Sequence, residues 1–223
     1  MFLNTSMNSL KIAGFVLCIS IGLGALPGCK KKSFPPLPQL GPYERVEGEK
    51  VFHPVRPFAL LNQAGDTLQH TDLGGKIRVA DFFFISCPTI CPQLQAEMLR
   101  IHEAFAEEER VILLSHTVDP KRDTVAALAK YAYNLGIATP EQWHFLTGDR
   151  DSIYALADDY FNIVMADPDA PGGFNHSGRI TVVDAEGYIR AKANGLVKAE
   201  VDALLEDIKT LLHEMDMEAA NPS

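Results

Sequence analysis

The sequence has few cysteines, no excess of positive charge and no internal repeat, and these absences exclude several classes of protein. Four cysteines in 223 residues are too few for a disulfide-stabilised scaffold. The formal net charge of −9 argues against nucleic-acid binding, because a phosphate backbone attracts proteins with a basic face. Since 47% of the residues are apolar and 22% are charged, intrinsic disorder is excluded as well. The composition indicates one globular domain with a short additional segment.

A run without charge extends from residue 12 to residue 26 and ends in the sequence LPGC, whose last residue is Cys29. Such a run is shorter than the roughly 20 residues of a membrane span but suits the apolar core of a secretory signal. The LPGC sequence resembles the lipobox of bacterial lipoproteins, in which the cysteine is lipidated and becomes the first residue. We expect residues 1–28 to be a lipoprotein signal peptide; the alternative is an uncleaved anchor with Cys29 as an ordinary thiol.

Residues 29–56 contain three consecutive lysines, followed by four prolines between residues 35 and 42. Proline-rich segments favour the extended polyproline II conformation, so we expect a semi-rigid linker between the lipid and the domain. Both interpretations of Cys29 tether the domain to a membrane. We therefore expect a protein of the bacterial cell envelope that is lipid-anchored and faces the periplasm.

The rest of the chain predicts an α/β domain over residues 57–214, followed by a polar tail over residues 215–223. Strand and helix patterns alternate and then give way to a hairpin and a last helix, which favours a mixed sheet with helices on both faces, of the thioredoxin-like kind. The predicted strands are 58–61 and 67–69, which form an N-terminal hairpin, 77–85, 111–118, 144–146, 179–183 and 188–192; the predicted helices are 92–107, 123–135, 152–160 and 200–213.

Two cysteines stand where the first buried strand gives way to a helix, in the sequence CPTICP from Cys87 to Pro92. Functional sites in α/β sheets collect at the carboxyl ends of strands. Pro92 suits the first turn of a helix, which would place Cys91 at the N-cap and lower its pKa through the helix dipole. The spacing brings the two side chains to about 5–6 Å, which allows a disulfide or a shared metal ion. A static disulfide, a redox pair and a metal site all fit the residues.

A metal site with two thiolates usually includes an imidazole as well. His176 lies in the glycine-rich sequence PGGFNHSG, where backbone freedom can direct a side chain inward. His116, at the end of the second buried strand, is the rival candidate. Two thiolates and one imidazole suit Cu(I), can also hold Cu(II), and would accept zinc.

The sequence DFFFISCPTICP, which ends at Pro92, resembles the signature of the SCO/SenC family of thioredoxin-fold copper proteins, which assemble cytochrome c oxidase. Three further stretches agree in order, and the match extends over roughly residues 58–212. These stretches are VDPKRDT at 118–124, WHFLTG at 143–148, and His176-Ser followed by a strand that ends in DAEG at 184–187.

The resemblance implies that Cys87, Cys91 and His176 bind one copper ion per domain, as Cu(I), Cu(II) or both. Asp119 and Asp123 match an aspartate-bearing loop of the family, where they would support the site without binding the metal. Turn formation and helix capping are the alternative for both, and the cap is at least as good an explanation for Asp123. His116 precedes that loop and is a further candidate ligand.

The implied function is that of a metallochaperone, which delivers copper to the dinuclear copper centre of cytochrome c oxidase, or reduces the cysteines of that centre, or does both. Its partners would be the copper-receiving oxidase subunit and a thiol reductant or upstream copper donor. The alternative is a membrane-tethered thiol–disulfide oxidoreductase without an obligatory copper role. A peroxidase is disfavoured, because no activating threonine and arginine surround Cys87.

Overall fold

The computed structural model describes residues 35–137 and 140–221, in which the chain forms eleven strands and four helices. The strands are β1 (Tyr43–Val46), β2 (Glu49–Phe52), β3 (Ala59–Leu61), β4 (Thr67–Gln69), β5 (Ile77–Phe83), β6 (Val111–Thr117), β7 (Trp143–Leu146), β8 (Val164–Ala166), β9 (Phe174–His176), β10 (Arg179–Val183) and β11 (Ile189–Asn194). The helices are α1 (Cys91–Ala104), α2 (Val125–Asn134), α3 (Arg150–Asp159) and α4 (Lys198–Ala220), with a short 3₁₀ helix at His70–Leu73.

A five-stranded mixed sheet in the order β11-β10-β5-β6-β7 forms the centre of the domain. Strands β5, β6 and β7 are parallel, whereas β10 is antiparallel to both β5 and β11. Every residue of β5 and of β6 is buried, as their apolar sequences predict for central strands covered on both faces. The predicted α/β architecture with a mixed central sheet is therefore confirmed.

The predicted N-terminal hairpin is confirmed as β3 and β4, with Gly65 in its turn at a φ of +89°. A second hairpin, formed by β1 and β2, was not predicted and corrects the assignment of residues 43–52 to the linker. Seven of its eight strand residues are exposed, so no apolar alternation reveals it in the sequence. Its turn contains Glu47 and Gly48, both at positive φ, which is the conformation of a two-residue type I′ hairpin.

The last helix also differs from the prediction, because α4 continues to Ala220 instead of ending at residue 213. Residues 215–220 are therefore helical and the predicted polar tail is wrong for them. Ion pairs attach this polar end of the helix to the domain: Glu214 binds Arg190 at 2.8 Å and Asp216 binds Arg110 at 2.6 Å. Within the residues that the structure describes, no helix combines the length and hydropathy needed to cross a membrane.

Candidate metal centre

The two cysteines lie at the carboxyl edge of the central sheet, as predicted. Strand β5 ends at Phe83, Cys87 lies in the following loop, and Cys91 is the first residue of α1. The predicted N-cap position of Cys91 is wrong by one residue, because Ile90 is the N-cap. Ile90 already has helical dihedral angles, and its carbonyl accepts a hydrogen bond from Leu94 N at 3.0 Å.

His176 approaches both sulfurs from a separate element. It is the last residue of β9, which pairs with β8 in a small antiparallel hairpin that places His176 opposite Val164. The predicted loop therefore contains a strand. The Nε2 atom of His176 lies 3.2 Å from Cys91 Sγ and 3.8 Å from Cys87 Sγ. The fold thus brings His176 to two cysteines that lie 85 and 89 positions before it in the sequence.

The geometry of these three side chains fits a single metal ion. Their ligand atoms all lie within 4.8 Å of one another, and both cysteines are free and buried. Zinc–sulfur and zinc–imidazole bonds, made by the same donors, are about 2.0–2.3 Å long, so one ion between the three atoms would contact all of them. Two soft sulfurs and one nitrogen are a donor set that copper prefers. The site therefore supports copper as the metal.

Burial and hydrogen bonding set the protonation of the three ligands. Burial, followed by the hydrogen bond with Cys87, raises the pKa of Cys91, so the lowered pKa predicted for Cys91 is wrong. Burial acts in the same direction on Cys87, but hydrogen bonds from the Cys91 thiol and from nearby backbone and Thr89 groups outweigh it and lower the pKa of Cys87. The pKa of His176 is lowered by burial, which favours the neutral imidazole that can bind a metal.

His116 does not join the site. Its ring stacks on Phe82, with centroids 4.8 Å apart, and its Nδ1 lies 3.3 Å from the carbonyl oxygen of Asp81. Successive residues of a strand face opposite sides of the sheet, and His116 packs against Tyr160, which follows α3. Complete burial lowers the pKa of His116 to about 4. His116 is therefore a neutral core residue and not a copper ligand.

Asp119 and Asp123 lie near the site but outside the group of ligand atoms. Asp119 forms an ion pair with Arg122 at 2.7 Å. The carboxylate of Asp123 accepts hydrogen bonds from Thr117 Oγ1 at 2.5 Å and from Ile85 N at 3.1 Å, so it ties the end of β6 to the segment before Cys87. Asp123 is not the cap of α2, because that position belongs to Thr124, whose side chain accepts a hydrogen bond from Ala127 N.

The sequence analysis missed a buried polar chain behind the cysteines. Asp81 of β5 is completely buried and accepts hydrogen bonds from Ser115 Oγ at 2.5 Å and Gln95 Nε2 at 2.6 Å, while Trp143 Nε1 donates to Ser115 Oγ. Burial raises the pKa of Asp81 to about 7 although both hydrogen bonds oppose this shift. Gln95 lies one helical turn after Cys91, so this series of hydrogen-bonded side chains extends to the neighbourhood of the metal centre. A carboxylate within a largely apolar strand was the available signal.

Comparison with known proteins agrees with this geometry. The SCO1/SenC family model matches residues 47–213. A SCO1/SenC family lipoprotein from Bacillus anthracis is 27% identical, with a TM-score of 0.64 over 71% of this chain and 95% of its own. BsSco, described as a member of the Sco family of cytochrome c oxidase assembly proteins with a disulfide switch, is 30% identical, with a TM-score of 0.62 over 71% and 93%. Yeast Sco1 with copper bound is 25% identical, with a TM-score of 0.56 over 77% and 90%. The match to the family model and the thioredoxin-like fold shared with these Sco structures show that this chain belongs to the SCO1/SenC family.

Proposed function

We propose that this protein is a metallochaperone that binds one copper ion through Cys87, Cys91 and His176 and delivers it to the dinuclear copper site of cytochrome c oxidase during assembly. The observation that carries the proposal is the convergence of two sulfurs and one imidazole nitrogen within 4.8 Å. The copper-bound state of yeast Sco1 and the oxidase-assembly role named for BsSco support it.

A site with three ligands suits a copper ion that is passed on to a partner protein. A three-ligand site leaves a coordination position that an incoming partner ligand can occupy, whereas a closed four-ligand site would retain the ion. Copper displaces the thiol protons on binding, and Cys87, with the lower pKa, gives up its proton more readily than Cys91. His176 contributes a neutral imidazole and changes no proton count.

The same sulfurs support a second candidate function, thiol–disulfide exchange with the oxidase cysteines. The Cys87 thiolate would attack a partner disulfide and release one partner thiolate. Cys91 would then lose its proton and attack Cys87, which frees the second partner thiolate and leaves a Cys87–Cys91 disulfide. The specific observation in favour is the unequal pKa of the two thiols, with the attacking sulfur at Cys87 and the resolving sulfur at Cys91.

The lipid anchor is part of the proposal. Cys29 and the signal sequence lie outside the described residues, and the LPGC sequence and the lipoprotein named from Bacillus anthracis support lipidation at Cys29 and a periplasm-facing location in a bacterial envelope. Growth with radiolabelled palmitate is expected to label the wild type and not Cys29→Ser. A wild-type protein that incorporates no palmitate and keeps residues 1–28 contradicts the lipid anchor and favours the uncleaved anchor.

The function is tested by anaerobic titration of the reduced full-length protein in detergent with Cu(I), followed by transfer to an apo copper-receiving oxidase subunit. A metallochaperone binds one copper per chain and loses it to the subunit. A dedicated thiol reductase reduces the oxidised subunit equally well when His176 is replaced by alanine, and does not transfer copper.

A further inference from the structure

A cleft of about 360 Å³ lies beside the two cysteines. Helix α1 lines it with Pro92, Ala96 and Leu99, and Tyr131 and Leu135 line it from α2 and its C-terminal end. Both cysteines belong to the lining, whereas His176 does not. We call this feature the thiol cleft.

The thiol cleft gives access to sulfurs that are otherwise covered. Cys87 and Cys91 are 8% and 3% exposed, and the ring of His176 lies against both sulfurs from the β9 side. A partner sulfur that exchanges with either cysteine therefore has to approach past α1 and the end of α2. The residues that flank the partner's own cysteine then contact the walls of the cleft.

The chemistry of the walls defines the segment that fits. Apart from the cysteines and the phenol of Tyr131, no ionisable side chain lines the thiol cleft, although the whole chain carries a net charge of −9. A charged side chain that entered it would lose water without gaining a counter-charge. An apolar side chain would instead bury its surface against Leu99 and Leu135.

Gln95 also lines the thiol cleft. It is 1% exposed and its Nε2 atom lies 2.6 Å from Asp81 Oδ2, so its side chain is held in place and adds no charge to the wall.

We propose that the thiol cleft binds a cysteine-containing segment of the partner protein that carries an apolar side chain next to the reacting cysteine. This inference rests on the proposed function, because it requires a partner that presents a cysteine. It adds that the partner is selected by the apolar neighbour of that cysteine and not by charge.

Synthetic peptides with one cysteine, linked through a disulfide to 5-thio-2-nitrobenzoate, test the proposal. The reduced full-length protein cleaves this disulfide and releases the coloured thiolate, whose rate of appearance is measured for leucine-flanked, glutamate-flanked and lysine-flanked peptides. We expect the wild type to prefer leucine over glutamate by about tenfold, the effect of burying about half of a leucine side chain.

A matched pair of variants tests whether the peptide preference arises in the thiol cleft. Ala96→Glu places a carboxylate on its wall, and Ala104→Glu places the same charge on an exposed position of the same helix. Ala96→Glu is expected to lose the preference for leucine and to favour lysine, while Ala104→Glu keeps the wild-type order. Equal leucine-to-glutamate ratios in wild type and Ala96→Glu would overturn the proposal.

The copper stoichiometry distinguishes failure of the cleft proposal from failure of the proposed function. One copper per chain without a peptide preference rejects the cleft proposal alone. Absence of both copper binding and thiol exchange rejects the proposed function.

Discussion

The two halves of the metal centre are held by very different parts of the molecule. Cys87 and Cys91 follow a strand in which every residue is buried, and Cys91 starts a fourteen-residue helix. His176 belongs to a hairpin of two three-residue strands, on which Ile163 and Met165 are 62% and 55% exposed. Two short strands alone are marginally stable in water. The core therefore holds the two sulfurs of the metal centre in place, whereas the small, separate β8–β9 hairpin places the imidazole.

Aromatic contacts attach the hairpin to the cysteine side. The ring of Phe84, which follows β5, lies 5.2 Å from the ring of Phe174 and 5.5 Å from that of His176. Such contacts add about 0.5–1.5 kcal/mol each to the burial of the rings. Phe84 therefore links the cysteine side of the metal centre to the hairpin that carries His176.

Replacement of either cysteine should cause the greatest loss of Cu(I) affinity. Structural zinc sites with four ligands have about 10–16 kcal/mol of apparent binding energy, which is roughly 2.5–4 kcal/mol per ligand, and soft thiolates exceed this average for Cu(I). Cys91→Ser and Cys87→Ser should each weaken Cu(I) binding by about a thousandfold or more, measured by competition with a chromophoric chelator. Retention of affinity within tenfold in either variant contradicts a shared two-sulfur site.

The buried carboxylate of Asp81 should make stability depend on pH. Its pKa is raised from 3.8 to about 7 in the folded state, so between about pH 4 and pH 7 the folded protein keeps a proton that the unfolded chain loses. Stability therefore falls as pH rises through this window, by up to about 4 kcal/mol, and the effect is flat above it.

Urea unfolding of the reduced, metal-free protein from pH 4 to pH 8 measures this effect. Asp81→Asn should remove this contribution to the slope, and the surface control Asp169→Asn should keep the wild-type slope. Parallel pH profiles for wild type and Asp81→Asn would show that Asp81 is ionised throughout.

Loss of the imidazole should cost less than loss of a thiolate. His176→Ala leaves both sulfurs on the core, so Cu(I) affinity should fall by about a hundredfold while the melting temperature of the metal-free protein changes little. The same chelator competition and a thermal melt check this. Wild-type affinity in His176→Ala contradicts the three-ligand site, and a large fall in melting temperature contradicts the separability of the hairpin.

The smallest effect concerns the contact between the two halves. Gly172 has a φ of +81°, and a Cβ atom there would lie 2.6 Å from the ring of Phe84 and 3.3 Å from Pro88. Gly172→Ala should push the hairpin away from the cysteine loop and lower Cu(I) affinity about tenfold. Gly48→Ala has the same kind of positive φ, with no atom within 4 Å of the added carbon, and should bind copper like the wild type. Equal affinities in the two glycine variants would show that hairpin contact does not position His176.

The contrast between the buried strands and the exposed β8–β9 hairpin also explains which parts of the site could be predicted from the sequence. Continuous apolar runs determine β5 and β6, and their parallel pairing places Cys87 at the functional edge of the sheet. No comparable pattern marks β8 and β9, because three-residue strands with exposed side chains are indistinguishable from a loop. His176 was therefore assigned through the family resemblance and not through its strand.

Protonation was the other property that the sequence did not determine. Cys91 was expected to gain from the helix dipole, yet its burial dominates and raises the pKa. Burial of an individual sulfur depends on how α1 packs on the sheet, which local spacing does not specify. The raised pKa of Asp81 shows the same limit. It arises from complete burial in a core whose other residues, such as Trp143, are distant in the sequence.

X-ray absorption spectroscopy at the copper edge, on the Cu(I)-loaded full-length protein, identifies the copper ligands. We expect two sulfur ligands and one nitrogen ligand per copper in the wild type, and loss of the nitrogen contribution alone in His176→Ala. A wild-type spectrum with sulfur ligands only, or one that is unchanged in His176→Ala, would contradict the three-ligand site.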